Sequence, residues 1–143
     1  MKIKENKSLQ PIKRTETVKE ENRLREFRTT IEQRRKQNPD GQPLDLREFQ
    51  IGLKIGQGAF AIVRRAVHKD TQFTIALKTY DKKNLVDKEP QMAVQREINT
   101  LSDLWHPNIM KLHEVIDQRT HVHLVMELCN GMSIYHLIKK QKD

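Results

Sequence analysis

Three groups in this 143-residue sequence have residue types and spacing suited to holding a phosphate chain. They are the glycines of Gly56-Gln57-Gly58-Ala59-Phe60-Ala61-Ile62-Val63, the lysine of Ala76-Leu77-Lys78, and Glu97 in Gln95-Arg96-Glu97-Ile98. A glycine lets backbone amides approach an anion without a Cβ in the way. Taken alone the motif is weak, because a Gly-x-Gly in a hairpin is often only a turn. The following Ile62-Val63-Arg64-Arg65-Ala66-Val67 has strand character, which argues against a dinucleotide-binding fold, where a helix follows the glycines at once. A lysine between apolar neighbours on a strand either faces solvent or points inward to neutralise an anion. Glu97, on the next helix, supplies the carboxylate that a buried cation needs to stay charged. Leu101, one turn on, and Leu112 would pack beneath the pair.

The elements that must position these groups can be read from pattern. Residues 1 to about 17 have no hydrophobic periodicity and are expected to be disordered. From Thr17 to about Gln37 the composition favours a helix whose Leu24, Phe27 and Ile31 form a thin apolar stripe. Such a stripe could dock weakly on the folded part or on a partner, but an isolated, exposed, fraying helix is the plainer expectation. Asn38-Pro39-Asp40-Gly41-Gln42-Pro43 concentrates turn formers and marks a boundary between an arm, 1–47, and a folded unit, 48–143. Phe49, Ile51, Leu53 and Ile55 alternate with Gln50, Gly52 and Lys54, which predicts a strand with one apolar face. Further strands are predicted over Phe60 to Val67 and Phe73 to Tyr80, which with the strand from Phe49 form an antiparallel meander, and over Met110 to Ile116 and His121 to Glu127. Helices are predicted over Gln91 to Asp103 and Met132 to Lys140, with His106-Pro107-Asn108 breaking the first.

Composition sets the bounds. The length suits one modest domain plus a tail. With 36% hydrophobic and 32% charged residues, the balance is that of a folded part joined to a polar arm, and the arm carries +5 of the +8 net charge. Acidic and basic residues interleave from Lys19 to Lys36, so a solvated helix face is expected there instead of a phosphate-binding stripe, and nucleic acid is not the expected partner. The single cysteine, Cys129, has no intramolecular disulfide partner; no apolar run approaches a membrane span, and the polar start is not a signal peptide, so a cytoplasmic or nuclear setting is expected.

In order and approximate spacing, the glycine-rich segment, Ala76-Leu77-Lys78, the helical Glu97, His106-Pro107-Asn108-Ile109 and Leu124-Val125-Met126-Glu127 resemble the protein-kinase signature from about Phe49 to the end. Lys78-Thr79-Tyr80-Asp81-Lys82 and Leu112-His113-Glu114-Val115-Ile116-Asp117 look like the calcium/calmodulin-dependent and microtubule-affinity-regulating serine/threonine kinases. The resemblance implies an α+β fold: the kinase N-lobe, a five-stranded antiparallel sheet with one main helix, without the C-lobe. It implies that Ile55, Gly56, Gln57, Gly58, Ala59, Phe60, Ala61 and Val63 lie over ATP, that Lys78 holds the α- and β-phosphates, and that Glu97 orients Lys78. Val63 and Ala76 would sandwich the adenine, Met126 would be the gatekeeper, and the backbone of Glu127 and Cys129 would bond its edge. Cys129 is thus expected to be a small hinge residue instead of a nucleophile, since no basic activating group is evident beside it. Ala61 stands where the pattern has its third glycine, and a small residue there still permits loop closure.

Kinase chemistry also needs an aspartate as base and Mg²⁺ ligands from His-Arg-Asp and Asp-Phe-Gly motifs, neither of which occurs in this sequence. No metal ligand is therefore expected here, Mg²⁺ is expected only with a complete kinase, and the chain alone is expected to be inactive and, with its C-lobe face uncovered, marginally stable. The first reading is a piece of a serine/threonine kinase acting on protein substrates. The second is a short non-catalytic module that binds nucleotide or a partner; the third is a basic-arm binder of nucleic acid or an anionic surface.

Overall fold

Ile75-Ala76-Leu77 is apolar without alternation, the pattern of a strand buried on both faces, and the fold is organised around it. The computed structural model describes residues 14–103 and 111–128, with side chains from Val18 onward. The elements are helix α1 (Arg14–Gln37), a 3₁₀ turn (Leu46–Glu48), β1 (Phe49–Gly58), β2 (Ala61–His68), β3 (Thr74–Asp81), a second 3₁₀ turn (Lys82–Leu85), helix α2 (Lys88–Asp103), β4 (Leu112–Asp117) and β5 (His121–Glu127). The five strands pair antiparallel in the order β1-β2-β3-β5-β4, so β3 is central. The expected five-stranded sheet with α2 as its principal helix is what forms. The His106-Pro107-Asn108 break, Cys129 and the helix expected over 132–140 lie outside the described residues.

Each face of the sheet carries its own core. On one face, here called outer, Phe49, Ala66, Ile75, Leu77, Ile116 and Val125 pack with Phe27, Ile31 and Leu44. On the inner face, Ala61, Val63, Ala76, Tyr80, Leu124 and Met126 pack with Leu85 and Val94. Alternation along β3 assigns Ile75 and Leu77 to the first and Ala76 and Tyr80 to the second, as the pleat requires.

The expectation of an exposed, fraying α1 is corrected. Phe27 is 0% exposed and Ile31 5%, whereas Val18 remains 50% exposed. The thin stripe suffices because its aromatic residue enters a preformed ring of others. Phe27 lies 5.1 Å from the rings of His68 and Phe73, 5.5 Å from His113 and 6.3 Å from Phe49, mostly edge-on, the favoured geometry for such pairs. Polar clamps fix the helix end. The Arg34 Nη1 donates to Pro43 O at 2.8 Å and to Glu48 Oε1 at 2.6 Å, and Arg35 pairs with Glu114 on β4. Beyond the turn, the Gln42 amide exchanges two 2.9 Å bonds with the backbone of Asp117, continuing the open edge of β4. Asp45 closes the 3₁₀ turn with a capping box to Glu48, and its contacts with Arg47 lower its carboxyl to about 2.

The expected single apolar face of β1 is also corrected. Register shifts between Ile51 and Lys54 and between Lys54 and Gly56 insert bulges, and a bulge exchanges the faces that follow it. Phe49 therefore packs outward and Ile55 inward, while Ile51 is 43% and Leu53 80% exposed.

Two outcomes test the outer core. Phe27→Ala should lower unfolding free energy by about 3–5 kcal/mol, read from the urea midpoint. Burial, and then the charges of Arg28 and Lys111, hold the His113 imidazole down at about 3. Its Nε2 has no hydrogen-bond partner among the described residues. The unfolded chain binds that proton below about 6.5, so this contribution is intact above pH 6.5 and is lost as pH falls toward 3, by at most ~1.4 kcal/mol per unit. His113→Leu should flatten stability between pH 6.5 and 5.

Candidate functional site

Strand register brings the glycine-rich segment and the lysine onto one line. Gly56 is opposite Val63, Val63 opposite Lys78, Lys78 opposite Leu124 and Leu124 opposite Val115. Two strand spacings, about 10 Å, thus separate the Gly56 backbone from Lys78. Ala76 is opposite Met126 and is diagonal to Val63, so Val63, Ala76 and Met126 make a continuous apolar patch on the inner face beside the lysine. Ile55 packs at its margin.

Lys78 points inward from the central strand and meets Glu97 on α2. The Lys78 Nζ lies 2.9 Å from Glu97 Oε1 as an ion pair and donates to Oε2 at 3.1 Å; the side chains are 17% and 27% exposed. Such partial burial disfavours leaving either charge alone. Leu101 and Leu112 pack in the same core, as their spacing suggested. Tyr80, two residues along β3 and on the same face, donates its hydroxyl to Glu97 Oε2 at 3.0 Å, with its ring centroid 5.5 Å from Lys78 Nζ. Burial, followed by the Glu97 carboxylate, pushes the phenol above its ordinary pKa, so it stays a neutral donor. The sequence reading missed Tyr80. Its position two residues after the lysine was the available signal, since residues two apart on a strand share a face.

The tip of the β1–β2 hairpin is exposed: Gln57, Ala59 and Phe60 face solvent, and Ala61 turns into the inner core. Phe60 has φ 68°, the left-handed region that glycine enters more readily. Turning there aims the hairpin back along β2. At the opposite end of the sheet the Glu127 amide donates to Lys111 O at 2.8 Å, while its carboxylate accepts from the Lys111 amide at 3.2 Å. This amide is occupied by Lys111, just before β4, and the Glu127 carbonyl is the other backbone group it offers.

Glu48, His68 and Asp70 bring ligand-type atoms within 4.8 Å of one another. His68 already bonds Thr71 Oγ1 at 2.8 Å through Nδ1 and Glu48 Oε1 at 3.2 Å through Nε2, and it is fully buried against Phe27 and Phe49. Burial acts to raise the Glu48 carboxyl, but bonds from the Asp45 amide, Arg34 and His68 outweigh it and lower the value. The group joins α1 to the β1–β2 pair as a structural junction.

A family-wide profile described as the protein kinase domain matches residues 49–143. The chain is 34% identical over 93 residues to CBL-interacting protein kinase 24 of Oryza sativa subsp. japonica, covering 65% of this chain and 20% of that protein. It is 33% identical over 123 residues to the serine/threonine-protein kinase DCLK3 of Mus musculus, covering 80% of this chain and 15% of that protein. The CBL-interacting serine/threonine-protein kinase 26 of Arabidopsis thaliana shares 34% over 91 residues, 64% of this chain and 21% of its own. The chain therefore spans about a fifth or less of these relatives. No helix among the described residues is long and apolar enough to cross a membrane.

Removing one partner of the ion pair exposes its energetics. Lys78→Met should cost about 1–3 kcal/mol, discounted for partial exposure, because Glu97 is left without its cation. The double variant Lys78→Met/Glu97→Gln should cost less than the two single changes added, measured by urea unfolding.

Proposed function

Because this chain belongs to the protein kinase domain family, we propose that residues 49–128, with Cys129 beyond them, are the ATP-binding portion of a serine/threonine protein kinase. The observation that carries this reading is the Lys78–Glu97 pair, set on the inner face in line with Gly56. A lysine held by one carboxylate keeps an ammonium directed at the space beneath the hairpin, where nucleotide phosphates would sit. Gly56 and Gly58 leave room for amide contacts to those phosphates along Gln57, Ala59, Phe60 and Ala61. The apolar patch of Val63, Ala76 and Met126 offers the flat, nonpolar surface that suits an adenine ring, with Ile55 at its edge. With its amide bound to Lys111, Glu127 would accept the adenine amino group at its carbonyl, and Cys129 would complete the edge.

ATP fits these residues, and the Mg²⁺ that accompanies it would neutralise phosphate charge in the complete enzyme. This chain's own part is to bind and orient: the amides hold the phosphates, Lys78 attracts the α- and β-phosphate oxygens, and Glu97 keeps Lys78 in place. In the complete enzyme the γ-phosphate would pass to a protein serine or threonine hydroxyl, as the names of the relatives indicate for those proteins.

Thermal unfolding of the chain with and without Mg-ATP tests the reading. Binding at a hundredfold excess over Kd stabilises by about 2.7 kcal/mol and raises the midpoint. The rise should vanish in Lys78→Met even after its own lower baseline is subtracted. An equal rise in both proteins would refute nucleotide binding through Lys78.

A further inference from the structure

We propose that Tyr80 is a positioning residue that holds Glu97 at Lys78, so that the carboxylate keeps its place when the lysine ammonium turns toward phosphate. The proposal rests on the nucleotide-binding reading above. It begins with how little else holds α2. Val94 is the helix's one buried residue among those described; Ile98 and Leu101 are only partly covered. With so narrow an apolar contact, polar tethers decide where α2 sits against the sheet. Those reaching Glu97 come from two side chains on one strand, Lys78 and Tyr80.

The two tethers differ in stiffness. Lys78 carries its charge on a four-carbon stem, and Glu97 is itself a long side chain, so the ion pair alone fixes neither end firmly. Tyr80 has a rigid ring, 5% exposed, packed in the core with Leu85, Val94 and Leu124, and its hydroxyl is consequently a fixed point. That hydroxyl meets Oε2, the oxygen to which Lys78 also donates, whereas Oε1 faces the ammonium as an ion pair without hydrogen-bond geometry. A phosphate approaching Lys78 competes with Glu97 for its protons. The Tyr80 bond is untouched by that competition and retains the carboxylate near the ammonium. Tyr80 also lies next to Asp81 at the end of β3, and only the short 3₁₀ turn, Val86 and Asp87 separate Asp81 from α2. It thus ties the helix back to the strand from which it emerges. Phenylalanine in its place would keep the ring, the packing and the face presented to Lys78, and remove only the donor.

The test uses the full chain as wild type, Tyr80→Phe, Glu97→Gln and the double variant. The side-chain ¹⁵Nζ signal of Lys78, recorded without nucleotide, should broaden and move in Tyr80→Phe toward its position in Glu97→Gln. A signal identical to wild type would overturn the proposal. Calorimetric titration with Mg-ADP should show Tyr80→Phe binding about threefold to tenfold more weakly than wild type, and no further weakening when it is added to Glu97→Gln. The same weakening in both backgrounds would overturn the proposal, because the hydroxyl would then act independently of Glu97. Should wild type bind no Mg-ADP, the nucleotide-binding reading falls, and the Lys78 signal still decides whether Tyr80 positions Glu97.

Discussion

A lysine on the central strand of a sheet covered by a helix on each face costs free energy to bury unless the fold brings it an anion. The Lys78–Glu97 pair meets that requirement, and much of the inner half is arranged by it. α2 must run so that its Glu97 reaches β3. The connection from β3 to α2 must be short, and here it is one 3₁₀ turn with two further residues. The strands flanking β3 must present small or apolar side chains around the pair, as Val63 and Leu124 do by standing directly opposite Lys78. The pair is a weak source of stability in itself, because partial desolvation offsets its attraction. Its consequence is orientation.

The outer half obeys a different constraint. Ile75 and Leu77 must be kept from water on the face away from Lys78, and no residue of the sheet can do this. α1 does so by inserting Phe27 among four other rings, with Ile31 beside it, and its basic end is matched to carboxylates on β4 and in the turn before β1. Part of the arm's positive charge is thereby used within the molecule. Arg34 and Arg35 face Glu48 and Glu114, which reduces what the arm offers to an external polyanion.

Much of this was legible in the sequence because local pattern and global fold agree over β2 to β5. The unbroken apolar run of β3 announces two covered faces, and Lys78 within it announces a partner. Glu97 was identifiable as that partner because it follows on the next helix. Tyr80 was not singled out, since a tyrosine in a strand packs well for its ring alone and its hydroxyl's partner depends on the rotation of α2. The docking of α1 was hidden for a similar reason: a 24-residue helix with so few apolar positions has no strong amphipathic signature, and its burial comes from shape complementarity with Phe49, Phe73 and two histidines distant in sequence. The bulges of β1 carry no clear mark in composition, and the residue inserted by the first inverts the side chains up to the second.

Those bulges also explain how one strand serves both halves. Without them, Phe49 and Ile55, six residues apart, would lie on the same face, and Ile55 could not reach the inner patch while Phe49 anchors the outer core. Shifting register between Ile51 and Gly56 lets β1 begin as a wall for α1 and end as the hairpin over Lys78. The cost is the exposure of Ile51 and Leu53 at the crossover. The first bulge turns Ile55 inward and the second restores the alternation, so that Ile55 and the adjacent Gly56, which stands opposite Val63, both serve the inner face of a strand whose start is anchored on the outer one.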